Sequence, residues 1–493
     1  MRRIGLAAAA ALALCLVIVP AAAQEKLSFE DVTLKVLTPR VPEGNKWPQT
    51  WDVAWVDPNG DGKLDILMVR GGSGLPNTLW LNKGDGTFQL QEGEPFASPK
   101  LVFFVLAVDK NADGKEDYLI TNGGCHAFIN ETGPDGKLKF VDTPWQPLGS
   151  ANHYGAIGDV NGDGKPDCVR CPGGLLQLLD LQSDKAIHDP YLGYSGPVFI
   201  VDFENDDWPE VLCLGQPNHT NRTTGEPEKE IFLLNHKGEL RDRTMESGLG
   251  KVMSLHGRGA CADFNNDGLV DILMIGYMPA RNDPQKFTSL FKNNGDGTFT
   301  EVLEGSGIPK AKLGGTAWCS NPCAGDFNND GLVDFVVEGT VWLNKGDFKF
   351  EKAFTLKFGP PPSWTHRLDV ADYDEDGKLD ILTETSGTGV GVWHNTTATD
   401  ANWLKVKLRG PATNPEAVLA RVTICEPGTQ TILGSRQVLK DLSHDSFRPH
   451  FGLGPRKAVD VKVHFQHGSD YVFKNVAANQ TIRVTHDGKL EAK

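Results

Sequence analysis

The chain of 493 residues carries 64 acidic and 49 basic side chains, which gives a formal net charge of −15 at pH 7. This excess of acid without a basic patch argues against nucleic acid as a partner. After the N-terminal apolar segment no stretch is long enough to cross a bilayer, so no membrane span is predicted.

The N terminus has the pattern of an export signal, which we place at residues 1–23. Two arginines precede an apolar run at 4–19, and Ala21–Ala23 offers a small-residue cleavage site before Gln24. Cys15 could carry a lipid anchor, but it lies inside the apolar run and follows Leu14. We therefore predict a secreted protein, extracellular or periplasmic, rather than a lipoprotein.

Eight cysteines follow this segment: Cys125, Cys168, Cys171, Cys213, Cys261, Cys319, Cys323 and Cys425. An even count in an exported chain permits disulfides, and Cys319 with Cys323 is the best local candidate. The sequence context favours burial as small strand residues for Cys168, Cys213 and Cys261.

Seven copies of one nine-residue acidic motif, which we number loops one to seven, occur between Asp57 and Asp380. Each has an acid at position 1, Asn or an acid at 3, Asp at 5, usually Gly at 6, and an acid at 9. The copies are DPNGDGKLD from Asp57, DKNADGKED from Asp109, DVNGDGKPD from Asp159, DFENDDWPE from Asp202, DFNNDGLVD from Asp263, DFNNDGLVD from Asp326 and DYDEDGKLD from Asp372. Oxygen side chains at positions 1, 3, 5 and 9 can converge on one hard cation, and the glycine allows the left-handed turn that this needs.

We predict calcium as the ion, up to seven in number, because every candidate ligand is an oxygen and the loops are rich in carboxylates. The predicted ligands are Asp57, Asn59, Asp61, Asp65, Asp109, Asn111, Asp113, Asp117, Asp159, Asn161, Asp163, Asp167, Asp202, Glu204, Asp206, Glu210, Asp263, Asn265, Asp267, Asp271, Asp326, Asn328, Asp330, Asp334, Asp372, Asp374, Asp376 and Asp380. In loop four Asp207 replaces the glycine and Glu204 and Glu210 are longer than their counterparts, so we expect a weaker or distorted site. The ions could serve calcium sensing or adhesion, but we favour structural clips within each repeat.

The motifs recur about every 52 residues, a spacing typical of propeller blades. Strand-like apolar runs flank each loop, and a third run ends in a tight turn, clearest in LWLNKGDGTF from Leu79, LFKNNGDGTF from Leu290 and VWLNKGDFKF from Val341. Each loop therefore joins the first and second strands of a four-stranded blade. We predict an all-β protein with a seven-bladed β-propeller at residues 24–398.

The seventh repeat lacks an outer strand, since no turn of this kind follows Asn395. The sequence SFEDVT at 28–33 resembles GTFTEV at 297–302, which is an outer strand of another repeat. We predict that a strand near residues 27–33 completes the last blade and closes the ring.

From about Asn402 the sequence changes to a separate β-rich unit without the motif, which we place at 399–493 as a small sandwich-like domain. Alternation and β-branched residues predict strands at 403–408, 419–424, 459–465, 471–473 and 481–484.

The repeats resemble the FG-GAP/VCBS repeats of integrin α-subunit propellers and of many secreted bacterial proteins. The tail is similar to the ASPIC/UnbV domain in NWLKVKL from Asn402, HFGLG from His450 and ANQT from Ala478. Two places differ from that family's pattern: Ala420 stands where glycine is usual, and FQHG from Phe465 replaces a Trp-Pro-x-Gly turn. The resemblance implies calcium binding and extracellular interaction, without a common activity.

Histidine and arginine side chains lie five to seven residues before some motif starts, where the first strand of a blade reaches the channel rim. These low-ranked catalytic candidates are His153, His256, His366, Arg258 and Arg367, and Phe103 and Ser320 hold the same position in other repeats. They could form a sugar, anion or acid–base site. We favour the alternative that they fill the channel or bond neighbouring strands.

We therefore expect a non-enzymatic secreted module that binds or adheres to an extracellular glycan or protein. No nucleophile elbow, zinc signature or phosphate loop is present. Two alternatives stay open: a polysaccharide-cleaving lyase or hydrolase with a site at the propeller axis, and a structural or assembly component that docks through the C-terminal domain. The oligomeric state is not predicted.

Overall fold

The structure is a computed structural model. It describes residues 26–38, 50–70, 77–91, 104–121, 125–144, 155–171, 175–189, 191–192, 196–214, 231–251, 257–276, 287–311, 313, 321–358, 365–385, 389–440 and 449–492. The predicted signal segment lies outside these residues. The described part begins with strand β1 (Phe29–Asp31) and the single-turn helix α1 (Thr33–Val36). Among the described residues no helix is long and apolar enough to cross a membrane.

Seven largely antiparallel sheets follow in chain order, and in each of them the motif loop joins two consecutive antiparallel strands. The first holds β2 (Leu37–Thr38), β3 (Thr50–Val56), β4 (Asp65–Arg70), β5 (Thr78–Asn82) and β6 (Phe88–Gln91). The second holds β7 (Phe104–Val108), β8 (Asp117–Thr121), β9 (Cys125–Asn130) and β10 (Phe140–Pro144). The third holds β11 (Gly155–Gly158), β12 (Asp167–Arg170), β13 (Leu175–Asp180) and β14 (Tyr191–Leu192).

The fourth sheet holds β15 (Val198–Val201), β16 (Glu210–Cys213), β17 (Ile231–His236) and β18 (Glu239–Asp242), followed by a 3-10 turn (Leu249–Lys251). The fifth holds β19 (Arg258–Ala262), β20 (Asp271–Ile275), β21 (Thr288–Asn293) and β22 (Phe299–Glu301). The sixth holds β23 (Cys323–Gly325), β24 (Asp334–Val337), β25 (Thr340–Asn344) and β26 (Phe350–Thr355). The seventh holds β27 (Thr365–Ala371), β28 (Asp380–Thr385), β29 (Gly389–Asn395) and β1.

The N-terminal strand completes the last sheet, as the sequence predicts. Strand β1 pairs antiparallel with β29, and Phe29 lies opposite Asn395. Strand β2 adds a parallel edge to β6 in the first sheet. The outer edge of the seventh sheet is thus supplied from the other end of the propeller.

Apolar side chains pack between successive sheets rather than in one central core. One buried cluster joins the seventh and first sheets, where the rings of Trp55 and Tyr373 stack at 5.4 Å. Further clusters join each sheet to the next. The all-β propeller fold is confirmed, and the described residues contain seven sheets. A closed ring of seven blades stays our prediction, which these contacts support.

In six of the seven sheets an asparagine at the end of the third strand links the sheet to the loop of the preceding sheet. The Asn293 side-chain amide donates to the carbonyl oxygens of Phe203 in loop four (2.7 Å) and Val270 in its own loop (3.0 Å). Asn82, Asn130, Asn235, Asn344 and Asn395 make the same pair of bonds. The bond from Asn82 reaches the Tyr373 carbonyl of loop seven, so these links continue across the closure of the ring.

The third sheet has Leu181 at this register, because Asp180 lies opposite Asp167 at position 9 of its loop, and it uses another link. The ammonium of Lys110 in loop two donates to the Leu181 carbonyl oxygen (2.8 Å) and to Asp184 (2.9 Å). A lysine in the loop thus replaces an asparagine in the strand.

Substitution of Asn293 by alanine is expected to cost about 3 kcal/mol of unfolding free energy, because two buried carbonyl oxygens lose their donor. Urea unfolding measures this cost. The neighbouring Asn294→Ala is the control, since Asn294 is exposed and its side-chain amide donates to the Thr298 hydroxyl at the surface. Equal effects of the two substitutions would contradict the role of the inter-sheet bond.

The C-terminal part forms two four-stranded sheets that share one apolar core. Its strands are β30 (Asn402–Arg409), β31 (Arg421–Cys425), β32 (Ile432–Gln437), β33 (His450–Gly454), β34 (Ala458–His464), β35 (Asp470–Ala477), β36 (Gln480–Thr485) and β37 (Leu490–Ala492). The sheet orders are β33-β30-β36-β37 and β32-β31-β34-β35. Leu404, Val422 and Phe451 lie in the core between them. The five predicted strands are present, and β32, β33 and β37 were not predicted.

Candidate metal centre

The motif loops share one pattern of backbone hydrogen bonds to their carboxylates. In loop five the two Asp263 oxygens accept from the backbone N–H groups of Asp267 (3.1 Å) and Gly268 (3.0 Å). Asp271 at position 9 accepts from the Phe264 N–H (3.0 Å). The other loops repeat most of these bonds. Each loop is therefore folded around its acidic side chains.

The side chains present fit a hard divalent cation. In loop seven one oxygen each from Asp372, Asp374 and Asp380 lies within 4.8 Å of the others. The Asp372 Oδ1 and Asp65 Oδ2 atoms are buried and accept no hydrogen bond. Converging carboxylate oxygens with unused lone pairs are the donor set that calcium prefers.

When no cation is bound, burial and mutual repulsion favour the protonated forms of these carboxyl groups. Burial raises the pKa of Asp65, Asp167 and Asp271 to about 8 in each case, and neighbouring carboxylates add to the effect. Burial also raises the pKa of Asp263 and Asp380 to about 7. A bound cation would favour the ionised forms instead.

In calcium-free buffer the stability of the protein is expected to fall as the pH rises from about 4 to about 8. The folded pKa values of Asp65, Asp167 and Asp271 lie near 8, above the ordinary value of about 3.9 in the unfolded chain. Between these limits the unfolded state releases protons that the folded state keeps, so unfolding becomes easier. Each pKa unit corresponds to about 1.4 kcal/mol per group, and urea unfolding at pH 5 and pH 8 measures the loss.

In saturating calcium the trend should reverse, because the ion binds only deprotonated ligands. Parallel pH profiles with and without calcium would contradict an ion-binding role for these carboxylates.

Loop four keeps the backbone of the other loops despite its departures in sequence. Asp207, in the place of glycine, adopts a φ of +76°. The N–H groups of Asp206 (2.9 Å) and Asp207 (3.1 Å) donate to Asp202 as in the other loops. The expected distortion is therefore not seen in the backbone, and a weaker affinity stays a prediction.

The C-terminal domain lies on the face of the propeller that carries the loops and contacts all seven. At loop four the Gln437 side-chain amide donates to the Asp202 carbonyl oxygen (2.6 Å), and His464 Nε2 lies 2.5 Å from Asp207 Oδ1. The other contacts are Lys407 with Gly62, Glu416 with Asp109, Gln466 with Asp159, Ile432 with Gly268, Gly454 with Asn329, and His450 with Gly377. This docking was not predicted from the sequence.

Basic side chains of the domain reach the first ligand of several loops. The Lys405 ammonium lies 2.6 Å from Asp372 Oδ2, and Arg421 lies 3.8 Å from Asp202 Oδ2. The Arg436 guanidinium lowers the pKa of Asp263 and Asp326 against the larger effect of their burial. The domain thus offsets part of the negative charge on this face.

Loops one and two border an open cleft of about 1200 Å³ between the propeller and the C-terminal domain. The propeller wall carries acidic side chains, among them Asp61 and Asp113. The wall formed by the C-terminal domain carries Lys407, Arg409, Arg483 and Lys489 together with Glu416, Asp487 and Glu491. Arg483 pairs with Glu491 (4.0 Å) and Lys489 with Asp487 (2.6 Å). Two exposed ligand-position side chains, Asp61 and Asp113, therefore share an open cleft with the exposed Arg409 of the C-terminal domain.

The channel candidates are not brought together as one site within the described residues. His153, His256, Phe103 and Ser320 lie outside those residues, and His366 lies in β27 with only its backbone described. The Arg258 guanidinium donates to the Gly257 carbonyl oxygen (2.7 Å).

Arg367 is buried and forms an ion pair that sequence reasoning missed. Its Nε lies 3.5 Å from Oδ1 of the buried Asp52, whose Oδ2 accepts from the Val105 N–H (3.1 Å). Burial raises the pKa of Asp52 to about 6, and Arg367 opposes this shift. The pair connects the seventh, first and second sheets, which favours the channel-filling role that we expected.

One member of the predicted disulfide pair is not among the described residues. Cys319 lies outside the described residues, so its pairing stays a prediction, and the Cys323 Sγ lies 3.2 Å from the Leu368 carbonyl oxygen. Cys168 and Cys213 are buried in strands, as expected, whereas Cys261 is half-buried.

The fold and the loops define a β-propeller protein whose acidic loop face is covered by a second β domain. The chain belongs to the FG-GAP repeat proteins with a C-terminal ASPIC and UnbV domain. The FG-GAP-like repeat family matches residues 57–120, 263–337 and 338–383, and the ASPIC and UnbV family matches 410–491.

Two curated relatives illustrate the similarity. Human cartilage acidic protein 1 is 22% identical over 519 residues, covering 92% of this chain and 74% of that protein. Integrin alpha-4 of Xenopus laevis is 28% identical over 168 residues, covering 31% of this chain and 15% of the integrin. Among solved structures, an Agrocybe aegerita lectin that recognises non-reducing terminal N-acetylglucosamine gives a TM-score of 0.38 at 17% identity, covering 72% of this chain and 92% of the lectin. A similarity at this level says nothing about the ligand of this chain.

Proposed function

We propose that this chain is a non-enzymatic, calcium-binding module of an exported protein, and that it binds an acidic extracellular glycan in the cleft beside loops one and two. The observation that carries the proposal is the cleft in which two motif loops share a space with the exposed Arg409 of the C-terminal domain. Carboxylate groups of a ligand suit both a loop-bound calcium ion and an arginine side chain. The ions would be held by Asp57, Asn59, Asp61 and Asp65 in loop one and by Asp109, Asn111, Asp113 and Asp117 in loop two.

The contacts of the C-terminal domain support this location. The domain contacts all seven loops, but at loops one and two it does so through the side chains of Lys407 and Glu416, beside an open cleft. The cleft leaves Asp61 and Asp113 exposed, so a ligand could approach ions there. The exposed Arg409 side chain lies on the opposite wall.

The alternatives receive less support. An enzyme at the propeller axis would use Arg367, but its guanidinium is buried and paired with Asp52. An assembly component would use the C-terminal domain, but the side of that domain with Lys405, Gln437 and His464 contacts its own propeller. A protein ligand with an acidic segment would use the same cleft chemistry and is an outcome of the test below.

Binding of polygalacturonate to the full chain is expected in millimolar calcium and should be lost in chelator. Arg409→Glu is expected to weaken it at least about tenfold, because an arginine–carboxylate bond is replaced by repulsion. Biolayer interferometry with neutral dextran as the comparison ligand measures this.

Arg241→Glu is the matched control. Arg241 is exposed on β18, is paired with Glu239 and lies away from the cleft. An equal loss of polygalacturonate binding in the Arg409→Glu and Arg241→Glu variants would overturn the location of the site. Binding of polygalacturonate that is followed by release of shortened or unsaturated products would favour the enzyme. If no polysaccharide binds, an acidic protein segment is the next ligand to test.

A further inference from the structure

One residue position in the third strand of each sheet lies beside the motif loop of the same sheet. This position directly precedes the bridging position of the third strand, and it holds Leu81, Ile129, Asp180, Leu234, Lys292, Leu343 and His394 in sheets one to seven. In the fifth sheet the Lys292 ammonium lies 3.2 Å from Asp267 Oδ2 at position 5 of the loop. The seventh sheet has a metal-ligating residue type, His394, where most sheets have an aliphatic one.

The His394 imidazole lies among the acidic side chains of loop seven. Its Nδ1 is 3.1 Å from Asp380 Oδ1 and 3.6 Å from Asp374 Oδ2. The ligand atoms of His394, Asp374 and Asp376 lie within 4.8 Å of one another. A second, overlapping group within the same limit contains Asp372, Asp374 and Asp380.

Two further features add to the description of loop seven. Lys405 holds one oxygen of Asp372, the first ligand of the loop, at 2.6 Å. The other Asp372 oxygen is buried without a hydrogen bond, and the residue is only 4% exposed. Position 3 is an aspartate, Asp374, where five of the loops have asparagine. Loop seven therefore combines an imidazole and carboxylates with a first position that is already partly neutralised.

We propose that loop seven binds a first-row transition-metal cation, of which zinc is the representative, through His394 together with Asp374, Asp376 and Asp380. Imidazole nitrogen suits zinc and its neighbours in the series, whereas calcium prefers oxygen ligands alone. The other loops offer side-chain oxygen atoms at positions 1, 3, 5 and 9. The metal of loop seven is independent of the ligand proposed for the cleft.

Cobalt(II) is the spectroscopic probe for this site. The full chain in saturating calcium is titrated with cobalt, whose visible absorption reports its ligands, and zinc is then added to displace it. One equivalent of cobalt is expected to bind with an absorption that calcium does not remove. His394→Leu, which installs the residue of the sixth sheet at this position, should weaken that equivalent at least about tenfold.

Lys292→Leu is the matched control, because it makes the same change of position and residue in the fifth sheet and should leave the cobalt spectrum unaltered. His394→Gln keeps a polar side chain of similar size beside Asp380, and it too should lose the site if the leucine variant fails to fold. A tight cobalt equivalent that survives in His394→Gln, or one that calcium displaces from the unsubstituted chain, would overturn the proposal. Calcium stoichiometry, measured separately by calorimetry, tests the remaining loops without reference to His394.

Discussion

Withdrawal of calcium is expected to lower the melting temperature of the protein by about 20 °C. An ion that binds only the folded state at a hundred times its dissociation constant contributes about 2.7 kcal/mol. Six such ions, one in each of loops one to six, would contribute about 16 kcal/mol, and the unfolding entropy of a propeller of this size is on the order of 0.8 kcal/mol per degree. Scanning calorimetry in millimolar calcium and in calcium-free buffer measures the shift.

Magnesium at equal ionic strength is the control for simple charge screening. It should restore only a small part of the difference, because it prefers a rigid octahedral shell and loses water reluctantly. A melting temperature that does not change between the calcium and calcium-free buffers would show that hydrogen bonds alone hold the loops.

Gly377→Ala in loop seven is expected to displace the C-terminal domain from the propeller. A Cβ atom at Gly377 would lie 1.9 Å from Trp403 Nε1, and the backbone has a φ of +88°. The substitution combines overpacking, which costs about 1–3 kcal/mol or more, with the strain of a left-handed alanine, about 1–2 kcal/mol. Urea unfolding and limited proteolysis between the domains measure the two effects.

Gly164→Ala is the control that introduces the left-handed backbone strain without a clash against Trp403. Gly164 holds the same position in loop three with a φ of +82°, and a Cβ atom there would meet nothing within 4 Å. The unfolding free energy of this variant should fall only by the strain energy, and its resistance to protease should be unchanged. A similar loss of unfolding free energy and of protease resistance in both variants would mean that the contact with Trp403 does not hold the domain in place.

The elements that are local in sequence could be predicted well. The loop pattern needs only nine consecutive residues, and its hydrogen bonds follow from the same positions in each copy. The closing strand was found because residues 28–33 resemble an outer strand of another repeat, and Phe29 does pair opposite Asn395. Asp207 could be accepted in place of glycine because aspartate tolerates the left-handed backbone.

The contacts between the two domains could not be predicted, because they join single polar residues far apart in the chain. Gln437 bonds to Asp202 and His464 to Asp207 without any periodic signal in either segment. Strand β33 was missed because its glycines read as turn residues. Gly452 is needed there for another reason: a Cβ atom would lie 2.1 Å from Asp326 Oδ2 in loop six.

The Arg367 ion pair was missed for a related reason. Its partner Asp52 occurs in one repeat, so comparison of repeats gave it no weight. The position of His394 beside loop seven could not be predicted either, because it depends on the register of the third strand relative to its bridging asparagine.

The pairing of β1 with β29 also constrains when the propeller can form during synthesis. The strand that completes the last sheet is made first, and its partner Gly389–Asn395 is made only after the other six sheets. Until then the first sheet lacks the apolar neighbours that Tyr373 and Leu382 supply. The growing chain therefore carries an exposed sheet face throughout elongation, and a binding factor that covers this face would protect it from aggregation until the ring can close.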